Sequence, residues 1–182
     1  MMKITPKVLL ASILAGALLT ACGNTDTEPK KEDNKAEDKA DVVTTASIVN
    51  EADALVNGLS ENGTWIVATL QDLTVDSDIV VAGEFHDKGD AANPLYRKLG
   101  LYTQDEDHNI IDSFTLTAPK MTVQSENFKI QGGTFVGDVY VEANGFTVDA
   151  TAKVDGNVYY KSDEFKASAV IDGEVTGEQE VQ

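Results

Sequence analysis

Three stretches decide the fold: Phe135-Val136-Gly137-Asp138-Val139-Tyr140-Val141, Lys153-Val154-Asp155-Gly156-Asn157-Val158-Tyr159 and Val170-Ile171-Asp172-Gly173-Glu174-Val175-Thr176. Each sets a hydrophobic residue ahead of a glycine, a polar residue after it, and then a valine. The glycines lie 19 and 17 residues apart, and Ile79-Val80-Val81-Ala82-Gly83-Glu84-Phe85 is a weaker earlier copy. A period this short cannot hold a helical hairpin or a propeller blade. It suits three short strands joined by tight corners, each circuit stacked on the next at the ~4.8 Å strand separation. The expected architecture is mainly β, a short parallel β-helix. Corner glycines would supply positive φ or close backbone approach.

Working outward, the period-two signal runs through most of the second half. Phe128 and Ile130 share a phase, as do Val139 and Val141, then Phe146, Val148, Ala150, Ala152 and Val154. Val158 and Tyr160 follow, then Phe165, Ala167, Ala169 and Ile171. One face is buried and the other exposed. Small inward residues (Ala150, Ala152, Ala167, Ala169) fit a narrow interior. Earlier strands are expected within Trp65–Leu70, Leu73–Val75 and Ile79–Gly83. An antiparallel sandwich is the alternative, with Asn144-Gly145, Asp155-Gly156 and Asp172-Gly173 as its hairpin turns.

The repeated elements resemble those of bactofilins, bacterial polymer-forming proteins with a β-helix core. The resemblance covers about 121–177, with an extension back to Leu73. It implies a right-handed solenoid able to stack end to end. The chain departs from that family in an export signal, a helix ahead of the β region, and an interruption between Phe85 and Ser113.

That helix is expected over 44–62. Ile48, Ala52, Leu55, Val56 and Leu59 recur at helical spacing, Thr44, Thr45 or Ser47 can cap the start, and Gly58, Asn62 and Gly63 end it. It carries Glu51 and Asp53 and no basic residue, which suits packing over the first coil better than lying on a membrane. The β-helix is expected over 63–177, and 178–182 is an acidic tail.

The N-terminus is an address. Lys3 and Lys7 precede an apolar run from Val8 to Ala21, the order of an export signal. The run falls short of the ~20 residues a spanning helix needs. Leu19-Thr20-Ala21-Cys22-Gly23 resembles the lipobox of bacterial lipoproteins, and Cys22 is the sole cysteine. The resemblance implies cleavage of a signal peptide, 1–21, and a diacylglyceryl group on Cys22, with palmitate-type acyl chains holding the protein at the extracytoplasmic face of the cell membrane. Two chains give stable attachment. Residues 22–43 read as a lipidated start and a disordered, mixed-charge tether, since 24–41 holds no apolar side chain larger than Ala.

The 182 residues carry 14 Lys+Arg against 31 Asp+Glu, a formal charge of −17. Loss of Lys3 and Lys7 would take it to −19. Such a body is repelled by anionic lipid, and its single arginine, Arg97, argues against nucleic-acid binding. No Cys/His spacing suits a metal, and no cofactor is implied. Asp105, Asp107, Asn109 and Asp112 evoke a calcium loop, but Ile110 and Leu116 stand where an EF-hand needs Gly and Glu. Neither His86 nor His108 sits with a nucleophile, so no enzyme is expected.

The segment 84–113 is expected to be a hairpin-like excursion with an acidic tip. Tyr96, Arg97, Tyr102 and His108 are its candidate ligand-binding residues, because long loops in compact domains carry function. The expected function is a membrane-anchored structural scaffold of the cell envelope, self-associating into a homo-oligomer or polymer through its β-helix. The alternative is an envelope glycan- or peptide-binding lipoprotein that uses the 95–111 excursion.

Overall fold

The computed structural model describes residues 47–182. The signal segment, Cys22, the tether and the first three residues of the expected helix lie outside them. The described chain is mainly β. Its elements are β1 (Ser47–Ile48), α1 (Ala52–Leu59), β2 (Ile66–Ala68), β3 (Leu73–Thr74), β4 (Ile79–Val81), β5 (Arg97–Gly100), β6 (Tyr102–Gln104), β7 (Ile110–Ser113), β8 (Thr115–Val123), β9 (Phe128–Gln131), β10 (Thr134–Val141), β11 (Thr147–Val148), β12 (Lys153–Asp155), β13 (Val158–Tyr160), α2 (Asp163–Ser168), β14 (Val170–Ile171), β15 (Glu174–Val175) and β16 (Gln179–Val181).

Two parallel sheets share these strands except β6 and β7, which pair with each other as an antiparallel hairpin. The first has six strands in the order β1-β2-β5-β9-β11-β14. In the second, β8 pairs with β3, β4 and β10, and the sheet continues to β12, β13, β15 and β16. From β2 onward the chain alternates between them, giving one strand to the first and then one or two to the second. Asp155-Gly156 lies between β12 and β13, which both pair with β10 rather than with each other. That excludes the sandwich, whose turns must join paired strands.

Registration places like on like. In the first sheet Val67, Leu99, Ile130, Val148 and Ile171 form one column. In the second, Leu73, Leu116, Phe135, Val154 and Val175 form another. Ile79, Met121, Val139 and Val158 form a third. Apart from the end residues Ile171 and Val175, these side chains are buried in a single core. Each buried aliphatic chain is worth about 1.5–3 kcal/mol, so the columns carry the stability of the fold.

Glycine marks where the second sheet bends. β10 shifts register against β8 between Val136 and Asp138, at Gly137, whose φ is 140°. A Cβ there would sit 2.0 Å from the Ala118 carbonyl oxygen, and one at Gly156 would sit 2.1 Å from the Gly137 oxygen. The next position in that line is Gly177, whose N–H donates to the Gly156 oxygen at 3.0 Å. The third repeat is therefore aligned on Gly177 rather than Gly173. Glu174 pairs with Lys153, which pairs with Thr134, so Gly173 corresponds to Gly133 at an earlier corner.

Several boundaries differ from expectation. The N-terminal helix is eight residues long, and Ser47–Ile48 is an edge strand on β2 instead of its first turn. Leu55 and Leu59 fill the core as expected. Phe165 to Ala169 is not a strand: Ser162 caps α2 by accepting from the Phe165 N–H, with Asp163 and Glu164 in its first turn. Capping and dipole complementarity there outweigh the alternating pattern. Ala150 and Ala167 are exposed, Ala152 is buried and Ala169 partly so. The acidic tail is not free, because β16 pairs with β13. The excursion is not one piece either, since β5 runs through it as a central strand of the first sheet. No helix of the described residues is long and apolar enough to cross a membrane.

Gly137→Ala should lower the unfolding free energy by about 2–4 kcal/mol through backbone strain and overpacking. Gly89→Ala, at a φ of 70° where a Cβ would meet only Trp65 at an ordinary 4.0 Å, should cost only about 1 kcal/mol. Urea denaturation of the two variants against the parent tests the difference.

Candidate functional site

Strand alternation sorts the proposed binding residues onto opposite faces of β5. Arg97 points inward and is fully buried. One terminal nitrogen of its guanidinium donates to the Gly58 and Ser60 carbonyls at 2.8 Å each; the other donates to the Ala82 carbonyl and to Ser125 Oγ, the latter at 3.1 Å. Its carbon lies 4.1 Å above the Phe85 ring. Nε has no partner. Burial brings the guanidinium pKa down to about 10. Arg97 is thus removed from the binding surface. It closes the C-terminal carbonyls of α1, which a helix leaves open and which favour a cation. The sequence signal was its solitude: one arginine in an acidic chain, two residues before the core residue Leu99.

Lys98 points the other way, onto the outer face of the first sheet. It pairs in register with Lys129 on β9. Lys98 Nζ donates to Tyr102 Oη and to Gln131 Oε1, both at 3.2 Å. Lys129 Nζ lies 3.6 Å from Asp149. Burial, and then the charge of Lys129, hold the Lys98 ammonium below the ordinary lysine range. Tyr102 is 9 % exposed, and a Cβ on Gly132 would strike its ring at 2.5 Å. The ring needs that bare backbone beneath it.

Tyr96 flanks this group. Its ring lies 6.1 Å from that of Trp65, tilted by 54°. The loop between β4 and β5 holds it there: the Tyr96 N–H donates to the Phe85 carbonyl and the Asp87 N–H to that of Pro94, while His86 Nδ1 sits 2.6 Å from the Asn93 oxygen. Burial, then Tyr102, Asp87 and Asp149, push the Tyr96 pKa up to about 12. Tyr102 is raised as well, chiefly by burial. Both phenols keep their protons at neutral pH.

His108 stands apart at the tip of the β6–β7 hairpin with a φ of 65°. Its Nδ1 lies 3.0 Å from Gln104 Nε2. Asp105 organises the tip, accepting from the Asp107 and Asn109 N–H groups and from the Asn109 side chain. The Asn109 side chain is the main cause of its lowered pKa. That carboxylate is occupied by the turn. The structure thus joins Tyr96 and Tyr102 on one face, adds Trp65, Lys98 and Lys129, and leaves Arg97 inside and His108 on the hairpin. Lys98 and Lys129 escaped sequence reading because they lie 31 residues apart, well off the repeat spacing.

Other concavities lie elsewhere. A depression of about 660 Å³ follows the corner around Gly133, Thr151 and Gly173. A smaller one of about 160 Å³ lies beside Tyr140 and Tyr159, whose rings are 5.0 Å apart. Neither includes Tyr96 or Tyr102.

The chain matches no protein-family model, no curated protein and no solved structure.

Two outcomes are expected. Arg97→Lys should cost about 3 kcal/mol, because one ammonium cannot reach all the buried carbonyls that lose their donor; thermal or urea unfolding reads this. Tyr96 has a raised folded-state pKa, so the stability it contributes is present below pH 10 and lost as pH rises toward 12. Arg97 acts oppositely: its lowered pKa makes its charge costly below pH 10, and that cost lifts above it. Unfolding curves of Tyr96→Phe against the parent isolate the tyrosine, and the parent should lose ground to the variant from pH 10 to 12.

Proposed function

We propose that this protein is a lipid-anchored, extracytoplasmic binding protein of the cell envelope, holding an envelope glycan on the outer face of its first sheet. The observation that carries this reading is the grouping of Trp65, Tyr96 and Tyr102 with Lys98 and Lys129 on one outer face. Trp65 and Tyr96 remain partly open, as aromatic faces that take sugar rings must, while the buried Tyr102 holds Lys98 beneath them. The export run and Cys22 support acylation and placement at the outer side of the membrane. The 24–41 tether would then set the domain off from the lipid surface.

We read the two parallel sheets as walls of a short right-handed β-helix. In-register columns support this, as does the near-universal right-handedness of crossovers between parallel strands. The resemblance to bactofilins points the same way, but end-to-end polymerisation does not follow from it. α1 covers the first end. At the other, Gln179 follows Val158 in its column, and Asp172, Glu174, Glu178 and Glu180 bring like charge to any second copy. A self-associating scaffold is the second reading. It is favoured by the unpaired outer edge of β14, β15 and β16 and by the partly open Phe165, Ile171 and Val175.

Pull-down of the acylated full chain on isolated envelope polysaccharide tests the binding reading. Retention should be lost on Tyr96→Ala while Cys22→Ala releases the protein from membranes without changing retention. Unchanged retention in Tyr96→Ala, with a ladder of oligomers in sedimentation velocity, would transfer the function to the scaffold.

A further inference from the structure

We propose that the outer face of the first sheet recognises an acidic saccharide, with sugar rings against Trp65 and Tyr96 and a uronate carboxylate on the ammonium groups of Lys98 and Lys129. This rests on the glycan reading above and names the class of glycan.

The reason is the company Lys98 keeps. An ammonium has three N–H donors. Lys98 gives two of them to neutral oxygens, those of Tyr102 and Gln131. It takes part in no ion pair among the described residues; Lys120, Lys129, Lys153 and Lys161 each face a carboxylate, and Lys88 and Lys166, which also lack one, are exposed where Lys98 is half-buried. The one carboxylate whose charge favours the Lys98 ammonium, Asp149, is already paired with Lys129; a half-buried cation so weakly countered is costly, and here a second lysine lies in register beside it. In a chain with 31 acidic side chains, two adjacent lysines with one carboxylate between them stand out. A ligand oxyanion lying between the two ammonium groups would complete the third donor of Lys98 and relieve the repulsion. Charge-assisted bonds of this kind are about twice as strong as neutral ones.

The same surroundings limit the ligand. Asp149 lies against Lys129, and Asp87 is close enough to Tyr96 to raise its pKa. These carboxylates would repel a dianion, so a singly charged carboxylate fits better than a terminal phosphate. Tyr102 and Gln131 hold Lys98 in place, which keeps its free donor directed before ligand arrives.

Trp65 is the only tryptophan in the chain, so its emission reports on this face alone. The test is a fluorescence titration of the full chain in detergent, at fixed ionic strength, with oligogalacturonate and with the same oligomer methyl-esterified. The two probes share their rings and differ in charge. The free acid should give a saturable change in Trp65 emission, and the ester should bind at least about tenfold more weakly. Lys98→Gln and Lys129→Gln should each weaken the free acid by about tenfold and leave the ester unchanged, with unaltered circular dichroism. Equal binding of acid and ester would overturn the acidic specificity and leave the glycan reading standing. A response to neither would overturn this proposal, while retention on native polysaccharide would still decide the broader reading.

Discussion

Every part of the described molecule depends on parallel strands pairing in register so that each core side chain lies on its equivalent in the neighbouring strand. A slip of one residue would turn Leu116, Phe135 and Val154 toward water together. The glycine line at 137, 156 and 177 fixes the register mechanically, because a side chain at the inner two would meet a carbonyl oxygen at about 2 Å. Hydrophobic columns supply the energy and glycines supply the alignment. Surface ion pairs such as Lys153–Glu174 at 3.2 Å and Lys161–Glu142 at 3.4 Å follow the same register but add little, since exposed pairs are typically worth less than 1 kcal/mol.

Arg97 connects this framework to its cap. The strand that carries it belongs to the first sheet, while its guanidinium reaches the end of α1, the end of β4 and Ser125. Its neighbours Tyr96 and Lys98 therefore sit on an immobilised backbone. The buried arginine and the exposed patch are two sides of one strand, and an alteration to the first is felt in the second.

The class of fold was legible because period-two alternation and a near-constant glycine spacing survive from Phe128 to Val158. The details were less so. Val170-Ile171-Asp172-Gly173 mimics the repeat four residues early, because corner glycines and bend glycines share the same neighbours in sequence. Residues 163–168 keep an alternating pattern yet form a helix, because a serine cap and two acidic residues follow a chain reversal. The strand Arg97–Gly100 was hidden within an apparent loop, since insertions on both sides remove the spacing that would mark it. Tyr96 and Tyr102 were chosen as candidates by their residue type and their place in a long interruption. The pairing of Lys98 with Lys129 beside them needed a register that spacing does not reveal.

The pairing distances also bear on how such a chain can change length over evolutionary time. β8, β10 and β12 follow one another at intervals of 18 or 19 residues. Duplication of one whole interval would extend every column by one layer and leave the glycine line unbroken. Addition of half an interval would place polar residues in the core. The longer departures, between β4 and β5, at the β6–β7 hairpin and at α2, all leave and rejoin at corners. Length is thus quantised within the stack and free at its corners, so new surface chemistry enters as loops while the interior grows only by whole layers.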